Sequence, residues 1–383
     1  MKTIVVLLPG IAGTSLDNHL FNAWPDEVIT LTTVGFERAA LHILQDPSLE
    51  VEEPVAWSLP RKLNLGYNAF RHFFEAAGFH SVVFSVDHRH LPAKPREKLL
   101  VGFGYDWRND NGPDGTSQGS AGDLRTLLEA LDGLYAGTDY RVFLVGHSMG
   151  GLVSRAYLEN PASRNDPWYG KVAGLITLGT PHLGAPLAVD AITGRITRLD
   201  TNYDRLIHDF VNGSWSVSTY ELLPPPARQF IRVDGTCFSI FDEGFQDTAA
   251  WKWLQTRGIN TAKLERARAF FEALEYDPDP ALPPYYCVFG LAAPVLTCQS
   301  FTYDAGVGRL IEVADELGDS VVPRWSASFE GRPVEQIYNP PGNVNHLQIT
   351  GNPHVLRQVA TWIGVTPPVV HFTTIEAEAG AAV

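Results

Sequence analysis

Hydrophobic and polar positions alternate between two periods along the first half of the chain. Residues 4–8, Ile-Val-Val-Leu-Leu, form a short unbroken apolar run stopped by Pro9-Gly10, which predicts a strand buried on both faces of a parallel sheet. From 17 to about 60 the periodicity is weak and turn formers are frequent, so this stretch reads as a loop-rich excursion over the core. Residues 67–77 have helical spacing and 81–86 form a second apolar strand. The clearest helix is 123–135, where Leu124, Leu127, Leu128, Leu131 and Leu134 make one stripe and Gly137 and Asp139 end it. A strand at 141–145, a helix at 149–159 stopped before Pro161, and a strand at 172–178 continue the alternation. Strand–helix alternation of this kind implies a mostly parallel central sheet with right-handed crossovers and helices on both faces.

From about 187 to 284 the alternation fails. The stretch is rich in aromatics (Trp215, Phe230, Phe238, Phe241, Phe245, Trp251, Trp253) and holds one good helix near 261–276, with Pro278, Pro280, Pro283 and Pro284 punctuating its exit. It reads as a helical cap inserted into the sheet domain. Its aromatics suggest either an apolar acyl or aromatic ligand or simply the cap's own core. Sheet patterns return at 285–289 and 334–338, and a last helix spans 353–363. The expected organisation is therefore an N-terminal core part at 1–186, a cap at 187–284, a C-terminal core part at 285–366 and a peripheral tail at 367–383.

Gly146-His147-Ser148-Met149-Gly150 lies between the strand at 141–145 and the helix at 149–159. A Gly-x-Ser-x-Gly sequence in that setting is a nucleophile elbow: a sharp turn lifts the serine hydroxyl above the sheet, and the flanking glycines let the turn pack closely. The expectation is an α/β-hydrolase fold with Ser148 as nucleophile. Acyl transfer needs two backbone donors for the oxyanion. One is the N–H of Met149, the other an N–H from the loop after the first strand, here Ile11 in Pro9-Gly10-Ile11. The general base follows the acid in chain order, which leaves His346, His354 and His371 of the twelve histidines. His346 sits in the turn-rich Gly342-Asn343-Val344-Asn345-His346 loop ahead of the last helix and is the preferred base. His147 and His182 precede any plausible acid and read as structural. Asp319, Asp304 and Asp315 are the candidate acids.

Composition narrows the partners. A formal charge of −14 and 19% charged residues disfavour nucleic acid, and no polybasic cluster marks a membrane surface. No stretch is long and apolar enough to span a bilayer, and the short apolar start lacks a cleavage region, so a cytoplasmic location is expected. Cys237, Cys287 and Cys298 match no metal spacing. Cys287 and Cys298 could pair, but reduced core thiols are the expectation. No metal and no organic cofactor is expected.

Several segments in order resemble the lecithin:cholesterol acyltransferase family, which includes lysosomal phospholipase A2 and plant and bacterial relatives. They are Leu8-Pro9-Gly10-Ile11-Ala12-Gly13, Trp24-Pro25, Tyr105-Asp106-Trp107-Arg108, Gly146 to Gly151, and Leu178-Gly179-Thr180-Pro181-His182-Leu183-Gly184-Ala185-Pro186. Tyr286 to Gly290, Gly318-Asp319-Ser320-Val321-Val322-Pro323 and the Asn345-His346 loop complete the series. The resemblance implies a capped α/β-hydrolase acting on acyl esters through an acyl-enzyme, with Ser148, Asp319 and His346 as the triad and Ile11 as an oxyanion donor. It also implies that the Tyr-Asp-Trp-Arg stretch supports the site from nearby. The acid loop departs from the family's Gly-Asp-Gly-Thr-Val-Pro, having Ser320 in place of the second glycine. The expected activity is ester hydrolysis of a small acyl ester, with transfer of the acyl group from Ser148 to an alcohol as the alternative. The remaining class is a non-catalytic binding protein that kept the fold.

Overall fold

The computed structural model describes residues 1–17, 22–33, 35–58, 63, 65–112, 119–197, 201–274 and 282–369. In chain order its strands are β1 (Lys2–Leu8), β2 (Thr14–Asp17), β3 (Asn22–Trp24), β4 (Glu50–Pro54), β5 (His80–Phe84), β6 (Lys98–Phe103) and β7 (Tyr140–His147). They continue with β8 (Val172–Leu178), β9 (Ile231–Val233), β10 (Thr236–Phe238), β11 (Tyr285–Val288), β12 (Thr297–Asp304), β13 (Arg309–Asp315) and β14 (Gln336–Tyr338). Seven form the central sheet in the order β14-β11-β8-β7-β1-β6-β5, every neighbouring pair parallel.

The apolar run 4–8 is the middle of this sheet, and all five residues are fully buried. Its alternation divides the core. Val5 and Leu7 face a cluster with Phe70, Phe73 and Phe74 of the helix Tyr67–Ala76 and Val355, Leu356 and Val359 of the helix Pro353–Ile363. Ile4, Val6 and Leu8 face the other cluster, with Leu124, Leu127, Leu128 and Leu131 of the helix Gly119–Leu134 and Leu152 and Val153 of the helix Met149–Leu158. The leucine stripe read from the sequence is thus the sheet-facing side of its helix. After β1 the chain winds out to β5, returns to β6, then crosses to β7 and proceeds outward the other way. The carboxyl ends of β1 and β7 flank this switch point, where open parallel sheets form their ligand crevice.

Three expectations need correction. The stretch read as a loop-rich excursion holds strands β3 and β4, which flank β2 in a three-stranded sheet, and the helices Asp26–Thr33 and Glu37–Leu44. Its strands have three to five residues, too short to show a two-residue period. Strand β6, for which the sequence pattern gives no expectation, pairs with β1 along five positions. The cap is not purely helical and does not end at 284. Its strands β9 and β10 join the hairpin β12–β13 in a four-stranded sheet, so residues 297–315, expected in the core part, pack with the cap. The cap helix runs Thr261–Ala273. Tyr276, Pro278, Pro280, His371 and the tail from 370 lie outside the described residues.

Phe230, Phe241, Phe245 and Trp251 of the cap are buried in its hydrophobic core, with Trp215, Phe238 and Trp253 packed against it. These aromatics are therefore the cap's own packing material, and no ligand preference follows from them. Cys287 on β11 and Cys298 on β12 are buried in different sheets. Among the described residues no helix is long and apolar enough to cross a membrane.

The three-stranded sheet is locked to the core where Gly104, just after β6, passes the carbonyl oxygen of Glu52 on β4 so closely that a Cβ would run into it. The obstacle is backbone and cannot swing aside. Gly104→Ala should cost about 1–3 kcal/mol of stability in urea unfolding. An unchanged midpoint would mean that the two sheets are not held together at this point.

Candidate active site

Strand β7 ends at His147, and Ser148 turns the chain into the helix Met149–Leu158 with φ 50° and ψ −124°. A non-glycine residue there carries strain on the order of 1–3 kcal/mol, which persists only where the surroundings enforce it. They do so through glycines. A Cβ on Gly146 would lie 2.5 Å from the backbone of Gly151, one on Gly150 would strike the carbonyls of Leu8 and Pro9, and one on Gly151 would strike the Thr180 side chain. The Ser148 N–H donates to the Leu178 carbonyl of β8 at 2.9 Å, which ties the turn to the neighbouring strand.

The loop after β1 approaches the same turn. A Cβ on Gly10 would lie 2.8 Å from the Ser148 Cβ and 3.4 Å from its Oγ, so only glycine fits. Beneath it, Gly10 N–H donates to the Tyr67 hydroxyl oxygen at 2.9 Å, and that hydroxyl in turn donates to His147 Nδ1 at 2.8 Å. With Nδ1 accepting, the His147 proton sits on Nε2 and is donated to the His346 carbonyl at 3.1 Å. Burial, and then the neighbouring His346, push His147 down to about 3, so it stays neutral in this relay. Tyr105 O–H donates to the Pro9 carbonyl at 2.7 Å, which puts the Tyr-Asp-Trp-Arg stretch in a supporting position. The N–H groups of Ile11 and Met149 donate to no protein acceptor among the described residues. Both belong to residues next to one that touches the Ser148 side chain or to Ser148 itself.

Asp319 and His346 meet on the other side of the turn. His346 Nδ1 donates to Asp319 Oδ2 at 2.7 Å, with both residues buried. The second carboxylate oxygen accepts from the N–H groups of Val321 at 3.1 Å and Val322 at 2.7 Å, and His346 N–H donates to the Asp319 carbonyl at 2.8 Å. The pair therefore has fixed orientation and leaves the second ring nitrogen, Nε2, as an acceptor. Gly179 follows the Leu178 that holds Ser148, and a Cβ there would lie 2.8 Å from Asp319 Oδ2 and 3.1 Å from His346 Nδ1. One backbone segment thus touches both halves of the site. The Ser148 hydroxyl makes no hydrogen bond to His346 among the described residues; such contacts are often long until substrate binds.

The rival residues are engaged elsewhere. Asp304 Oδ1 accepts from the N–H groups of Gly306 and Val307 in the β12–β13 turn, and Asp315 Oδ1 accepts from Gln299 Nε2 and Leu317 N–H. His354 is exposed at the start of the last helix. His182 is buried, hydrogen-bonded to the Thr177 hydroxyl at 2.9 Å and stacked on Phe329, and burial followed by Arg155 pushes its protonation well below the usual range. Tyr67, which joins the two loops, went unnoticed because an aromatic at a helix start has no sequence signal apart from packing.

A parallel sheet with a reversed winding carries a serine elbow at its switch point and an Asp–His pair beyond it. The chain has the α/β-hydrolase fold. Residues 124–213, which contain the elbow, match the family described as PGAP1-like alpha/beta domain. A GPI inositol-deacylase of Debaryomyces hansenii is 35% identical over 85 residues, 21% of this chain and 8% of that protein. The chain thus corresponds to a small fraction of the length of this curated relative. Among solved structures, the Bacillus licheniformis lipase BlEst2 in mature form is similar at 15% identity over 95% of this chain and 92% of that one, with a TM-score of 0.38. EstA from Clostridium botulinum is similar at 13% identity over 97% and 89%, with a TM-score of 0.40.

Two outcomes follow from this α/β-hydrolase site. Because His147 takes up its proton near 3 when folded and near 6.5 when unfolded, the unfolded chain is protonated first on acidification. Its contribution is complete above 6.5 and is lost as pH falls towards 3. His147→Gln should flatten the dependence of unfolding free energy on pH in that window by about 1.4 kcal/mol per pH unit. Equal slopes in variant and parent would show that His147 titrates normally. Ser320 has φ 79°, in the left-handed region. Ser320→Gly should raise stability by about 0.5–1 kcal/mol, read by urea unfolding. A loss would mean that the serine side chain itself holds the loop.

Proposed function

We propose that the protein is a serine hydrolase that cleaves carboxylic acyl esters, with Ser148 as nucleophile, His346 as general base and acid, and Asp319 as the residue that orients His346. The observation that carries this reading is the strained Ser148 turn, packed against Gly10 and flanked by two N–H groups that have no protein acceptor among the described residues. In the proposed reaction Ser148 Oγ attacks the acyl carbonyl as its proton passes to His346 Nε2. The Ile11 and Met149 N–H groups hold the negative oxygen of the tetrahedral intermediate. His346 then protonates the leaving alcohol, which departs and leaves the acyl group on Ser148. Water enters and gives a proton to His346 as its oxygen bonds to the acyl carbon. His346 then returns that proton to Ser148 Oγ as the acyl–Oγ bond breaks, releasing the acid and restoring the free serine.

The chemistry needs two directed hydrogen bonds and an anchored imidazole, and the Asp319–His346 contact at 2.7 Å supplies the anchor. The PGAP1-like match includes the elbow, and the D. hansenii relative is by its name a deacylase; both agree with an acyl ester as substrate class. The finer resemblance to the lecithin:cholesterol acyltransferase family rests on the ordered motifs between Leu8 and His346. It supports an acyl-enzyme that an alcohol could also intercept. A product analysis with a competing alcohol separates the two, because transfer yields a new ester and hydrolysis yields only the acid.

A fluorophosphonate should add to the intact protein once, and peptide mapping should place it on Ser148. Ser148→Ala should abolish the adduct and lower kcat on a simple ester by at least about 10³-fold; Asp319→Asn should lower it by about 10³–10⁴-fold. Full labelling and turnover in Ser148→Ala would remove the hydroxyl from the mechanism.

A further inference from the structure

Outside this site, one group of side chains among the described residues is arranged as ligands. Glu50 and Glu52 are two residues apart on β4 and so project from the same side of the strand. The turn after β5 is docked onto the residue between them. Val51 N–H donates to Asp87 Oδ2 at 2.8 Å, and the Ser85 hydroxyl donates to the Val51 carbonyl at 2.6 Å. Within the turn, His88 N–H donates to Ser85 Oγ at 2.9 Å, and Ser85 N–H to the His88 carbonyl at 3.0 Å. This clamp sets His88 Nε2 at 2.9 Å from Glu52 Oε1 and 3.4 Å from Glu50 Oε2. The three ligand atoms lie within 4.8 Å of one another, and each side chain is about two-thirds buried.

We propose that Glu50, Glu52 and His88 bind a divalent first-row transition cation of the zinc class. An ion pair is the simpler use of these groups, but the geometry disfavours it. A protonated ring has one N–H at Nε2, which can lie in line with one oxygen. Here Nε2 is sealed from solvent and makes no hydrogen bond to either carboxylate. A metal uses the ring's lone pair and one oxygen from each glutamate. Tetrahedral zinc, with bonds of about 2.0–2.1 Å, separates its ligand atoms by roughly 3.3 Å, close to the 2.9 and 3.4 Å from His88 Nε2 to the two glutamates. One imidazole and two carboxylates suit zinc or manganese better than calcium, which takes six to eight oxygens. Water fills the remaining position. The role is bracing. Strand β4 also pairs with β2 at Thr14–Pro54, and Val55 N–H donates to the Gly13 carbonyl at 2.8 Å. An ion at β4 therefore fixes the sheet that carries the end of the Gly10–Gly13 loop. No sequence spacing announces the site, because its ligands come from segments separated along the chain.

The test is zinc binding to the full chain after chelator treatment and dialysis, by calorimetry and by metal analysis. The expected result is one Zn²⁺ per chain and a raised melting temperature. Glu52→Gln and His88→Ala should bind on the order of 100-fold more weakly or worse. Absence of zinc binding, or the same stoichiometry and affinity in both variants, overturns the proposal and leaves an ion pair. Should the variants not fold, Co²⁺ titration of the unmodified chain decides. Ligand-field absorption that saturates at one equivalent and is displaced by zinc supports the site; no absorption beyond that of aqueous cobalt overturns it.

Discussion

Ser148 is held at φ 50° by backbone crowding that glycine alone permits on every side. Gly146, Gly150 and Gly151 bring the strand β7, the following helix, the end of β1 and Thr180 into direct contact, and Gly10 closes the remaining side against the Ser148 side chain. The turn cannot relax without moving one of these elements, and each is part of the seven-stranded core. The local strain is thus enforced by buried strands of the central sheet, β1 and β7, whose apolar residues are prominent in the sequence. A side chain larger than hydrogen at Gly10 would displace the hydroxyl and the loop bearing Ile11 together.

A second constraint joins the loops that surround the turn. The relay from Gly10 N–H through Tyr67 and His147 to the His346 carbonyl has one consistent set of donors and acceptors, because burial keeps His147 neutral down to about 3. It connects the loop after β1 with the loop that carries His346, 199 residues beyond His147. The proposed base is thereby oriented twice, at its ring by Asp319 and at its backbone by His147 and Asp319. Such preorganisation is what electrostatic stabilisation of an oxyanion requires, since the dipoles need not reorient during reaction.

The parts of the fold that could be read in advance share a physical cause. Residues 4–8, the leucine helix and the strand at 172–178 repeat one environment over several turns or residues, so the periodicity exceeds local noise. Ser148, Met149, Ile11, Asp319 and His346 stood out because sharp turns confine chemistry to glycine-rich or loop positions in a known chain order. What escaped notice depends on contacts remote in sequence. Strand β6 is one such case: its pairing with β1 identifies it, and its own six residues do not. The hairpin β12–β13 lies in the part of the chain assigned to the core, yet it joins the cap through β9. Tyr67 acts through two partners 57 and 80 residues away. Glu50, Glu52 and His88 converge only because Ser85 and Asp87 grip the backbone of Val51.

The convergence of these groups on one reacting centre is tested most directly by a crystal structure of the protein inhibited with a small organophosphonate. The expected structure has phosphorus bonded to Ser148 Oγ. It places the phosphonyl oxygen within hydrogen-bond distance of the Ile11 and Met149 N–H groups, with His346 Nε2 beside the Ser148 oxygen. A phosphonate on another residue, or one on Ser148 whose oxygen points away from both N–H groups with His346 out of reach, would contradict it.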